Sequence, residues 1–194
     1  NGVEQVCGIK VFMGASTGTL LVSKDEDLDR IFGHGTRLIA VHAEDEARLA
    51  ERKATFGPEA TVFDHSEIRD ATAALLATRR ALALSDKYGR RLHILHMTTK
   101  DEAELLRRHG KGNGRVSCEV CPQHLLLLAP ELYERLGTRA QMNPPLRSRE
   151  HADGLWTAFN DGLIDCVATD HAPHTLEEKA KPYGQAPSGM PGVE

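Results

Sequence analysis

The sequence predicts an α/β fold on a parallel sheet, a partial β/α barrel. Three observations predict it. Five short apolar runs, 8–13, 38–42, 92–96, 116–120 and 163–170, look like buried strands. Helical patterns alternate with them and no hairpin signal joins consecutive strands, so the pairing is parallel with right-handed crossovers. Four of the runs carry an ionisable residue, and three end on His42, His96 and Asp170. A buried ionisable group is costly unless it is paired or holds a metal. In β/α barrels the carboxyl ends of the strands converge on one site, so repeated cost at strand ends points to an enzyme.

The helices follow in order. Residues 23–32 open on Ser23 as a cap with an acidic first turn, and place Leu28, Ile31 and Phe32 on one face. A second helix covers 44–53. The strongest spans 66–88, with Ile68, Ala71, Leu75 and Leu82 as its apolar stripe and Gly89 as its stop. Residues 99–109 begin with the capping-box pair Thr99 and Glu102 and end at Gly110. The last helix, 148–159, precedes the fifth strand. The tail, 171–194, is rich in Pro and Gly and lies where an active-site loop belongs. No linker interrupts the chain, so 1–194 reads as one domain. An open doubly wound sheet is the alternative, but Gly14-Ala15-Ser16-Thr17-Gly18 lacks the Lys-Ser/Thr ending of a phosphate loop.

Composition bounds the function. Hydrophobic residues make up 40% and charged residues 27%, as in an ordinary globular protein. A net charge of -4 argues against a general nucleic-acid binder. No apolar run approaches a membrane span of ~20 residues, and no secretory signal is present. Of the four cysteines, Cys7, Cys118 and Cys166 lie in or beside strand candidates, as small hydrophobes. Cys118 and Cys121 form a lone CxxC whose side chains point to opposite faces of a strand. A reducing cytosol fits this pattern. His34, His65, His109 and His151 read as solvated, the Arg79-Arg80 and Arg90-Arg91 pairs as a solvated face, and His124 as a helix-start or near-site residue.

The chemistry rests on a few residues. One strand histidine is an ordinary core residue, but His42, His96 and Asp170 at successive strand ends form a common ligand set for zinc and related ions. Lys10 is the odd member. It is either ion-paired, for example with Asp170, or a neutral amine that takes up carbon dioxide. The resulting carbamate is an anion able to bridge two cations, which then activate a shared water. Asp170, within Asp170-His171-Ala172-Pro173-His174, can carry a proton to a leaving nitrogen.

These residues sit in segments that resemble the dihydroorotases of the amidohydrolase superfamily. The segments are Gly8-Ile9-Lys10-Val11-Phe12-Met13-Gly14-Ala15-Ser16, Val41-His42-Ala43-Glu44, His96-Met97-Thr98-Thr99, Gln141-Met142-Asn143-Pro144-Pro145-Leu146-Arg147, Ala168-Thr169-Asp170-His171-Ala172-Pro173-His174 and the tail Ala186-Pro187-Ser188-Gly189-Met190-Pro191-Gly192-Val193-Glu194. The resemblance implies a distorted TIM-like (β/α)8 barrel, here about strands 4 to 8, with two divalent ions, usually zinc. It implies that carboxylated Lys10 bridges the ions, that His42 and His96 hold one of them, and that Asp170 holds the other and shuttles the proton. It places Asn143 and His174 on the substrate's ring and carboxylate, and Ser188 and Gly189 in a loop whose backbone contacts substrate.

The reaction implied is the reversible closure of N-carbamoyl-L-aspartate to L-dihydroorotate in pyrimidine synthesis, in the cytoplasm. The partner is a small molecule, not nucleic acid or membrane, with a homodimer or a complex of pathway enzymes as the assembly. A hydantoinase or allantoinase shares the same barrel, but Asn143 and the Asp170 to His174 run favour dihydroorotase. A non-catalytic homologue is the rival from another class, and retention of the four candidate ligands argues against it. The family's His-x-His pair is missing, so the chain reads as a fragment. Alone it is expected to have little turnover and to expose two sheet edges and an apolar inner face.

Overall fold

The computed structural model describes residues 6–15 and 20–193, apart from the side chain of Asn113. Ser16, Thr17 and Gly18 of the phosphate-loop comparison, and Glu194 of the tail segment, lie outside the described residues. Five parallel strands stand in sequence order: β1 (Gly8–Phe12), β2 (Leu38–His42), β3 (Leu92–Met97), β4 (Val116–Val120) and β5 (Cys166–Val167). Phe12 pairs with His42, Ile39 with Leu92, Ile94 with Cys118 and Glu119 with Cys166. This is the strand order of a curved β/α segment, each strand beside its sequence neighbour.

Alternation along the strands divides the sheet into two faces. Val11, Ile39, Val41, Leu92, Ile94, Val116, Cys118 and Val120 are buried against the helices. There they meet Leu28 and Phe32 of α1 (Asp25–Gly33), and then the long helix further along the chain. The second helix, α2 (Glu46–Phe56), starts later than expected, because Asp45 is its cap and accepts from the Arg48 amide at 2.9 Å. The expected helix 66–88 is broken in two, α3 (His65–Ile68) and α4 (Ala71–Tyr88). Asp70 causes the break. Its backbone is extended and its carboxylate accepts from the Ala73 amide, satisfying a donor that an unbroken helix would have bonded internally. Likewise α1 is entered through Lys24, with no side-chain cap, and not through Ser23.

The next helix, α5 (Lys100–His109), has the expected capping box of Thr99 and Glu102 and ends in left-handed Gly110. After β4 come α6 (Pro122–Leu126) and α7 (Glu131–Leu136), which apolar periodicity did not reveal. The helix α8 (Arg149–Asn160) packs on α5. The expected strand 163–170 is reduced to two ladder residues. Asp165 meets β4 through its side chain as well as its backbone: its carboxylate takes the Cys118 amide at 2.8 Å and Lys111, and its own amide donates to the Cys118 carbonyl at 3.0 Å.

The other face of the sheet carries Lys10, Ala40, His93, Leu95, Ser117, Glu119 and Cys166. It is a mixed surface, not the apolar one expected. Cys7 and Cys166 are exposed, while Cys118 and Cys121 are buried. A second apolar cluster, Val62, Leu132, Tyr133, Ala140, Met142, Leu146 and Met190, lies beneath the loops at the strand carboxyl ends. It holds Asn143 and the returning tail against those ends. Arg90 is also buried, donating to the His34 carbonyl at 2.8 Å, so it does not belong to a solvated face. Among the described residues no helix is long and apolar enough to cross a membrane.

Candidate active site

A cavity of about 130 Å³ opens at the carboxyl ends of the strands. Lys10, His42, His96, Asn143, Asp170, Ser188 and Gly189 all line it. His174 stands at its rim, its ring 3.1 Å from where a Cβ on Gly189 would lie. The structure therefore brings together the candidate ligands and the candidate substrate contacts from six separate stretches of sequence.

The histidine side of the cavity is buried. His42 and Glu44 are 1% and 0% exposed. The His42 Nε2–H donates to Glu44 at 2.8 Å, and Arg69 donates to the same carboxylate through Nε at 3.1 Å. The adjacent guanidinium holds the Glu44 carboxyl far below the usual carboxylate range, against the opposing effect of burial. With Nε2 occupied, the free lone pair of His42 is on Nδ1, which lies 3.2 Å from His96 Nε2. Two nitrogens bound to one tetrahedral zinc at ~2.0–2.1 Å would stand about 3.3 Å apart. Burial, with the charges of His42, His124 and Lys10, pushes His96 well below the ordinary imidazole value. The ring is kept neutral, the form that binds metals. His96 Nδ1 is buried with no partner. The two nitrogens have the spacing of a pair of ligands on one divalent ion, while no third carboxylate, imidazole or thiol joins them in a three-donor group among the described residues.

The other side is more open. Lys10 is exposed, its ammonium 4.7 Å from the centre of the Phe12 ring, so the expectation of a buried lysine is corrected. Its strand is at the sheet edge. Asp170 is half-buried. Burial raises its carboxyl, and Lys10 and His42 act in the opposite direction. Both His96 and Asp170 have positive φ, 34° and 44°. Left-handed backbone is uncommon for residues with a Cβ, and such strain concentrates at functional positions. Here it turns each side chain out of the strand's alternation and into the cavity.

Loops around the cavity are pinned by buried polar groups. Gln141 donates through Nε2 to Ser188 Oγ at 2.8 Å, and its carbonyl accepts from the Gly189 amide at 2.9 Å. Gly189 has φ 145°, and a Cβ there would lie 2.5 Å from the Ala172 carbonyl oxygen, so only glycine fits. Arg147 is buried and donates to Thr98 Oγ1 at 3.2 Å, joining the Asn143 segment to the end of β3. Asn143 Oδ1 is buried without a partner. His65 is not solvated. Its Nε2–H donates to the Met142 carbonyl at 2.9 Å and its Nδ1 accepts from the Tyr183 hydroxyl. His124 is buried too, donating to the Pro144 carbonyl at 3.1 Å.

Glu44 and Arg147 lie within the resembling motifs without a role that the sequence assigns, and Arg69 lies outside all of them. The available signal was the spacing of His42 and Glu44, since residues two apart in extended chain share a face. A further donor group, His93, Glu119 and Cys166, has ligand atoms within 4.8 Å of one another. It is already satisfied as a hydrogen-bonded row, Ser117 Oγ to His93 Nδ1 at 2.7 Å and His93 Nε2 to Glu119 at 2.9 Å. Burial and the nearby carboxylates push the Cys166 thiol up, away from the thiolate a metal needs.

No family model matches the chain. In sequence it is 36% identical to the dihydroorotase of Methanosarcina mazei, over 95% of this chain and 42% of that protein. It is 44% identical to the dihydroorotase of Brevibacillus brevis, over 59% of this chain and 27% of that one. The chain is dihydroorotase-like. Its fold is shared with L-hydantoinase (dihydropyrimidinase) from Arthrobacter aurescens, at TM-score 0.86 and 31% identity over 97% of this chain and 44% of the other. Dihydropyrimidinase from Brevibacillus agri gives TM-score 0.86 and 26% identity, over 100% and 44%. The dihydroorotase-like chain is thus a part of a TIM-barrel amidohydrolase fold. It spans about 42% of the length of the Methanosarcina relative.

Proposed function

We propose that the protein to which this chain belongs is a dihydroorotase, interconverting N-carbamoyl-L-aspartate and L-dihydroorotate in pyrimidine synthesis in the cytoplasm. The observation that carries the reading is the meeting of Lys10, His42, His96 and Asp170 on the same cavity as Asn143, Ser188 and Gly189. His42 Nδ1 and His96 Nε2 would hold one zinc, Lys10 as a carbamate would be shared by two, and Asp170 would serve the other. A divalent metal supplies Lewis acidity and a water made acidic near neutral pH.

The remaining work falls to side chains and backbone. Glu44 and Arg69 keep His42 in one tautomer and one orientation. Asp170 takes the proton of the attacking water and delivers it to the ring nitrogen as the carbon–nitrogen bond breaks. Its carboxyl, raised by burial, is suited to both halves of that transfer. Asn143, with its unpaired buried Oδ1, offers an acceptor to a ring N–H. His174 at the rim faces the substrate carboxylate, and the 188–189 backbone closes over the ring. The substrate is a small molecule, and a homodimer or a complex of pathway enzymes is the expected assembly.

A hydantoinase-type activity is the second reading, favoured by the structural likeness to hydantoinases. The test is one assay of the full-length protein on dihydroorotate, hydantoin and allantoin with zinc and bicarbonate. Turnover of dihydroorotate far above the other two is expected. Preference for hydantoin or allantoin would replace the first reading with the second, and no turnover of any would favour a non-catalytic homologue.

A further inference from the structure

After Asp170 the chain leaves the cavity, forms the short helix α9 (Leu176–Lys179), and returns to the cavity at Ser188 and Gly189. One charged side chain is buried inside this excursion. Lys179 is 5% exposed, and its ammonium meets carbonyls where a buried cation ordinarily meets a carboxylate. It donates to the backbone oxygens of Gln141 at 2.9 Å, Pro187 at 2.8 Å and Gly189 at 3.0 Å. An ammonium has three N–H groups, and three carbonyls use all of them. Burial lowers its proton affinity to about 8, which leaves it largely charged near neutral pH.

The identity of the three carbonyls gives this arrangement its meaning. Gln141 leads directly into Met142 and Asn143, while Pro187 and Gly189 flank Ser188. The Gln141 carbonyl accepts both Lys179 and the Gly189 amide. The Lys179 carbonyl in turn accepts from Thr138 Oγ1 at 2.6 Å. From the helix following Asp170, one side chain therefore fastens together two stretches that line the cavity, the Asn143 segment and the 187–189 loop.

We propose that Lys179 is a positioning residue, whose ammonium sets the spacing between Asn143 and the 188–189 backbone and so the grip on the substrate's polar ring edge. The ligand's identity rests on the dihydroorotase reading; the carbonyl cage does not.

Two measurements on the full-length protein test it. In the wild type, acetic anhydride labelling read by mass spectrometry is expected to modify Lys179 at least about tenfold more slowly than exposed Lys181. In Lys179→Met, the Gly189 amide is expected to exchange with deuterium about tenfold or more faster. KM for dihydroorotate is expected to rise by about tenfold, with a much smaller change in kcat. Labelling of Lys179 at the rate of Lys181 would overturn the proposal, as would a Met variant with unchanged exchange and unchanged KM. If the variant does not fold, the wild-type labelling contrast still decides. If the wild type prefers hydantoin, the functional reading falls, while labelling and exchange still judge the cage.

Discussion

The two sides of the cavity are built on opposite principles. On the histidine side, His42, Glu44 and His96 are buried; Glu44 and Arg69 fix His42, and the His96 backbone amide donates to Glu119 at 3.2 Å. On the other side, Lys10 is exposed on an edge strand and Asp170 follows a two-residue strand. The histidines are preorganised by protein contacts, whereas Lys10 and Asp170 depend on what else enters the site. This contrast teaches that stability and chemistry are separable here: perturbing the closed side should damage both, and perturbing the open side chemistry alone.

The largest effect is expected on the open side. Asp170→Asn in the full-length protein should lower kcat by about 10²–10⁴-fold with little loss of stability. Steady-state kinetics beside thermal unfolding checks this. A variant that unfolds readily but retains turnover would reverse the contrast.

Next comes Glu44→Gln. It leaves Arg69 beside a neutral amide and frees the orientation of His42. A cost of roughly 3–5 kcal/mol is expected from breaking a buried ion pair, with metal affinity weakened about 10–100-fold. Denaturant unfolding and competition with a chelating dye read the two losses separately.

The third prediction concerns pH. Burial, chiefly, holds His65 at about 4, against an ordinary value of 6.5. The unfolded chain therefore takes up this proton at a higher pH than the folded one. The stability contributed is present above pH 6.5 and is lost as pH falls toward 4. It amounts to roughly 3 kcal/mol. Unfolding curves at pH 7, 5.5 and 4 should show the decline, and His65→Asn, judged against wild type, should flatten it. An equal slope in both proteins would remove His65 from the account.

The smallest effect on stability belongs to Lys10. Because the side chain is exposed, Lys10→Met should change stability by no more than about 0.5 kcal/mol, while abolishing turnover. A large loss of stability would mean that Lys10 is a packed structural residue.

Much of this was legible in the sequence, and the reasons are specific. Strands 38–42 and 116–120 show as apolar runs because Ile39, Val41, Val116, Cys118 and Val120 are buried against the helices. The capping box at Thr99 and Glu102 is a local hydrogen-bond code, readable without tertiary information. His42, His96 and Asp170 were legible because an ionisable residue at a strand end is conspicuous. The break at Asp70 was not, since the apolar stripe continues across it. The fifth strand was overestimated because an apolar run does not reveal that Asp165 is drawn to Cys118 and Lys111. Arg69 and Lys179 were invisible for another reason. Their partners are 25 residues away in one case, and backbone carbonyls carrying no side-chain signature in the other.

The most direct test is an anomalous-diffraction map of the full-length protein crystallised with zinc. The account predicts one peak in contact with His42 Nδ1 and His96 Nε2, a second beside Asp170, and density for a carboxylated Lys10 between them. A metal bound elsewhere, for example at His93, Glu119 and Cys166, with the His42–His96 space empty, would contradict it.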